Sequence, residues 1–87
     1  MTGIDITKET LIQGSVTRAG SAVPGTYVRL LDSTGEFTAE VPTSATGQFR
    51  FFARPGKWTV RTLAPGVLVD RPIVASQPGV VELAIEL

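Results

Sequence analysis

The chain has 87 residues, enough for one domain and too few for a second. Eight basic residues balance eight acidic ones, so no net field draws it to nucleic acid or to an anionic membrane. His, Cys and Asn are absent, which excludes disulfides, thiol chemistry, thiolate or imidazole metal sites and a histidine-based triad.

Residues 1–8 lack the charged start, apolar run and small-residue cleavage site of a signal peptide, and read as a loose lead-in to a single domain over 9–87. No apolar stretch approaches the roughly 20 residues of a spanning helix, so the expectation is a cytoplasmic chain with no membrane contact. Leu11 to Arg18 reads as the first strand, with Ile12, Gly14 and Val16 on one face. Thr26 to Leu31 alternates, setting Val28 and Leu30 against Tyr27, Arg29 and Leu31. Glu36 to Val41 sets Phe37, Ala39 and Val41 against Glu36, Thr38 and Glu40. Gln48 to Ala53 turns Phe49 and Phe51 inward and Arg50 and Phe52 outward. Lys57 to Leu63 turns Trp58, Val60 and Thr62 inward, so a buried Trp58 is expected. Val67 to Ala75 contains Pro72, which cannot donate to a ladder and marks an edge strand or bulge. Val80 to Leu87 ends the series, with Val81, Leu83, Ile85 and Leu87 opposing Glu82 and Glu86.

Turn chemistry separates these runs. Pro-Gly pairs stand at 24–25, 55–56, 65–66 and 78–79, and glycines at 35 and 47 sit among small polar residues. Seven short alternating runs spaced in this way argue for a β-sandwich or small barrel. No window holds a helical apolar stripe for three turns.

The segments Gly14–Gly20, Val23–Leu30, Thr46–Phe51 and Pro55–Val60 together resemble the carboxypeptidase regulatory-like domain, a transthyretin-like Greek-key sandwich. The resemblance covers about residues 10 to 64 and implies a seven-stranded fold of that type, with Phe49, Phe51, Trp58 and Val60 in its core. Tyr27–Val41 and Gly47–Ala53 are similar to one group in that superfamily: short bacterial proteins of unknown function, often encoded beside a rhodanese-type thiosulfate sulfurtransferase. That likeness implies a sulfurtransferase as protein partner. Some members carry a cysteine near the N-terminus, and this chain carries none.

The residues themselves point away from catalysis. The serines read as turn and edge residues, and the acids fall on polar strand faces rather than in a hydrolytic pair. No run of acids at alternate positions suits calcium, and no cofactor is expected. Arg50, Arg54, Lys57 and Arg61 concentrate four positive charges within twelve residues, with Phe52 turned outward beside them. Arginine with an exposed aromatic is the composition of a binding surface, so these five residues form the candidate partner-binding face. The plainer reading is a cross-strand charge ladder with Glu36, Glu40 and Arg29. The last strand offers an edge for pairing with a second copy. A non-catalytic interaction or scaffold module is therefore the leading expectation. Its rivals are a carbohydrate- or peptide-binding sandwich and a small hydrolase built from acids and arginines.

Overall fold

The computed structural model describes residues 9–75 and 79–87. The lead-in over 1–8 and Pro78 of the last Pro-Gly pair lie outside the described residues. Eight strands are described: β1 (Thr10–Arg18), β2 (Ser21–Ala22), β3 (Tyr27–Leu31), β4 (Phe37–Pro42), β5 (Gln48–Ala53), β6 (Gly56–Ala64), β7 (Val67–Ala75) and β8 (Gly79–Glu86). They form two sheets. In sheet A, β1 is flanked by antiparallel β5 and parallel β8, and its end pairs with β2. Sheet B runs β4-β3-β6-β7, all antiparallel.

The sheets close into a sandwich because every strand except the two-residue β2 turns a row of apolar side chains inward. Ile12, Val16, Phe49, Phe51, Ala53 and Ile85 come from sheet A, and Val28, Leu30, Val60 and Ile73 answer from sheet B. The Phe49 and Phe51 rings lie 6.0 Å apart in a tilted pair. Burying each stabilises the fold by about 1.5–3 kcal/mol, which makes this pair the heaviest apolar contribution in the core. Thr62 is fully buried among these groups, and its Oγ1 has no hydrogen-bond partner among the described residues.

Glycines fit two places where a side chain would not. Gly14 lies in β1 between Phe49 and Leu83, and a Cβ there would stand 2.2 Å from the Leu83 carbonyl oxygen. Gly47 has φ +76° and presses against the Val16 carbonyl, so its turn delivers β5 into sheet A.

The all-β sandwich expected from the alternation is present, with eight strands in place of seven. The extra one is the two-residue β2, reached through a tight turn at Ala19 (φ 51°) and Gly20 (φ 83°). Three placements differ. Phe37, expected inward, is 62% exposed, because the β3–β4 register shifts between Leu30 and Leu31. That shift skips Thr38 and turns Phe37 to the opposite face. Leu31, expected outward, is buried, though it stands outside the core cluster. Trp58 is half-buried rather than buried: its ring packs on the core while its Nε1 donates to the Arg54 carbonyl at 2.9 Å. An indole N–H needs such an acceptor, and the corner carbonyl holds the ring near the surface.

Candidate functional site

Each sheet has an outer face, and cross-strand register sorts its side chains into rows. On sheet B, Pro42, Tyr27, Leu63 and Leu68 share one row. The next row holds Glu40, Arg29, Arg61 and Asp70. The two arginines stand opposite each other at the centre, and each turns to the acid on its outer side. Arg29 Nε donates to Glu40 Oε1, while Arg61 grips Asp70 through two bonds of 2.8 and 3.0 Å. The Arg61 hydrogen bonds hold the Asp70 carboxyl below its ordinary range, and the same contact raises the guanidinium. These pairs are exposed and screened by solvent, so they add little to stability. They neutralise the middle of the face and leave its apolar rows in contact with solvent.

Those rows are the conspicuous feature of sheet B. Tyr27, Phe37, Leu68 and Val74 are between 53% and 62% exposed, and Arg29 lies 6.0 Å from the Phe37 ring centroid. The Tyr27 row runs into a cleft of about 370 Å³ at the end of the sandwich. Val23, Pro24, Tyr27, Leu63, Pro65 and Leu87 give it apolar walls, with Arg18 as its charged member. Two buried threonines hold these walls in place. Thr43 Oγ1 donates to the Val23 carbonyl at 2.6 Å and accepts from the Thr26 amide at 3.0 Å. Thr26 Oγ1 donates to the Leu63 carbonyl at 2.8 Å. The cleft is therefore formed before anything enters it.

On sheet A, Phe52, Leu11 and Val80 share a row beside Arg50, Gln13 and Glu82. Gln13 Nε2 donates to Glu82 Oε1 at 3.3 Å, and Arg50 has no partner within the described chain. A groove of about 790 Å³ runs along this sheet past Ser15, Gln48, Arg50 and Glu82 and is also walled by residues 41–44 at the end of β4.

The five residues of the basic-aromatic cluster do not share one surface. Arg50 and Phe52 belong to the outer face of sheet A. Lys57 and Arg61 belong to sheet B, in register with Val74 and Asp70. Arg54 occupies the corner between β5 and β6, where its carbonyl receives Trp58. The chain changes sheets at that corner, so a cluster continuous in sequence is divided in space. The Arg29–Glu40 rung of the expected charge ladder is present. Glu36 instead donates its amide to Asp32 Oδ1 at 3.0 Å in the β3–β4 turn. The Thr34 hydroxyl and the Glu36 and Thr34 amides hold the Asp32 carboxyl below its ordinary range. Tyr27 was legible as an outward side chain from its alternation. Phe37, Leu68 and Arg18 were not legible as surface features: a bulge and a cleft mouth leave no mark in the local pattern, and Pro72 marks an edge strand without fixing which way Leu68 turns.

Among the described residues, no group of three or more acids, histidines or cysteines is arranged to hold a metal ion. A family model described as a protein of unknown function, DUF1416, matches residues 1–87. The uncharacterized protein Rv0814c of Mycobacterium tuberculosis is 49% identical over 85 residues, covering 97% of this chain and 85% of that protein. The Bacillus anthracis TIE protein matches in structure with a TM-score of 0.78 at 15% identity; the match covers 91% of this chain and 17% of that one. A dioxygenase domain from Streptomyces sp. SirexAA-E, part of a dioxygenase carbohydrate-binding protein fusion, matches with a TM-score of 0.71 at 13% identity. That match covers 92% of this chain and 79% of that one. At such identities these two structures carry the fold alone. The chain belongs to the DUF1416 family.

Proposed function

We propose that this member of a family of unknown function is a non-catalytic protein-interaction module whose partner docks on the outer face of sheet B. The observation that carries this reading is the placement of Tyr27, Phe37, Leu68 and Val74 on one face, all more than half exposed. Exposed apolar and aromatic groups collected on one side of a small domain are the mark of a docking surface. The end cleft supplies what an interface centre needs, a preformed pocket for an anchoring side chain. The Glu40–Arg29–Arg61–Asp70 row crosses the same face and sets the orientation of whatever lies on it. The inventory of the chain supports the absence of catalysis: it has neither histidine nor cysteine to act as base, nucleophile or soft ligand.

The finer reading is an accessory role to a rhodanese-type thiosulfate sulfurtransferase, which rests on the sequence resemblance. Co-elution of the two purified proteins tests it, together with the variant Leu68→Asp. Retention of the complex by the variant would move the docking face off sheet B. Failure of wild type to co-elute would remove this partner.

A further inference from the structure

The outer face of sheet A matches a second copy of itself, and we propose that the chain forms a two-fold homodimer through it. This goes beyond the docking face on sheet B, which such a dimer leaves free on both outer sides. The two outer faces differ in how their charges are paired. On sheet B both central arginines are paired within the chain. On sheet A, Arg50 and Glu82 lie in the same row but on strands either side of β1, with Gln13 between them. That separation is two strand spacings, about 10 Å, between side chains that point the same way off the sheet, and no ion pair joins Arg50 to Glu82 among the described residues.

The rows are also directional. Across the face, one reads Phe52, Leu11, Val80 and the next reads Arg50, Gln13, Glu82. The bulky aromatic and the cation stand on β5; the smaller apolar group and the acid stand on β8. A two-fold axis lying along β1 places β5 of one copy over β8 of the other. Phe52 then meets Val80 of the second copy, Leu11 meets Leu11, and Arg50 meets Glu82, twice by symmetry. An axis across the strands through Gln13 would instead put Arg50 on Arg50 and Glu82 on Glu82. The charge pattern therefore selects one packing orientation. Stacked sheets stand about 10 Å apart, a gap that facing Arg and Glu side chains span.

The size of the face sets the strength. Three strands of about eight residues give roughly 14 Å by 26 Å, below a standard-size interface, so the dimer is weak and concentration-dependent. Sedimentation velocity from about 10 µM to about 1 mM, a range that brackets such affinities, tests it. Wild type should shift from monomer to dimer across that range. Arg50→Glu and Glu82→Arg should each raise the dissociation constant at least about tenfold. The double variant, with both charges exchanged, should return to within a few-fold of wild type. Circular dichroism and thermal melts check that all variants fold, which these exposed positions permit. A wild type that stays monomeric overturns the proposal and leaves the face to another ligand, such as a saccharide. Single variants that dimerise like wild type overturn it in favour of an edge-strand contact. A folded double variant that stays monomeric overturns the pairing of Arg50 with Glu82.

Discussion

Replacing Gly14 by alanine should unsettle the whole sandwich although it adds one methyl group. The backbone at Gly14 lies outside the left-handed region, so the demand for glycine is steric. The new Cβ would lie 2.2 Å from the Leu83 carbonyl oxygen, 3.0 Å from its carbon and 2.9 Å from Phe49 Cζ. Phe49 Cζ lies on the ring's rotation axis, so the buried ring yields only by shifting as a whole; the carbonyl belongs to the backbone of β8 and cannot yield without moving the strand. Alanine also restricts the unfolded chain, which on its own stabilises by about 0.4–1 kcal/mol. Overpacking of this kind costs about 1–3 kcal/mol, and displacement of β8 puts Gly14→Ala at the upper end. The net loss is about 2 kcal/mol, or roughly a 10 °C fall in Tm for a domain of this size. Thermal and urea melts followed by circular dichroism measure it. A variant melting within two or three degrees of wild type, or above it, would show that β8 does not press on Gly14.

Phe51→Ala should cost about 3–5 kcal/mol by emptying the centre of the aromatic pair, leaving the domain largely unfolded in the same melts. Thr62→Val should raise stability by about 1 kcal/mol, because it removes a buried hydroxyl that has no partner; a lower Tm would mean that the hydroxyl is bonded. Asp32→Ala should lower stability at neutral pH, and its gap to wild type should narrow in acid. The folded-state pKa of Asp32 is depressed, so its contribution is complete above the ordinary value of 3.8 and lost as pH falls through the depressed one. Urea titrations at neutral pH and at successively lower pH follow that linkage.

The alternation of side chains revealed most of the fold because each of the longer strands has one inward face, which fixes its register. Gln48–Ala53 and Val67–Ala75 form strands over the residues expected. Pro72 does lie in the edge strand of sheet B. What escaped had no local cause. The shift at Leu30/Leu31 is a property of the strand pair, so β4 alone gives no warning that Phe37 turns outward. The basic cluster misleads for a related reason. Period two separates inside from outside within a strand, but says nothing about which sheet the strand joins. Pro55-Gly56 turns the chain from sheet A to sheet B, and Arg50 and Arg61 consequently belong to opposite outer faces. The end cleft gathers residues from Arg18 to Leu87, a long-range assembly that depends on the folded topology.

The most direct test of the docking account is a calorimetric titration of this chain into a purified rhodanese-type thiosulfate sulfurtransferase, using wild type and Leu68→Asp. Leu68 is 55% exposed at the end of the Tyr27 row, so the substitution should leave the fold intact while placing a charge in the apolar strip. Wild type should bind saturably, and the variant should lose at least about tenfold in affinity. No binding by wild type would contradict the choice of partner, and undiminished binding by the variant would contradict the face.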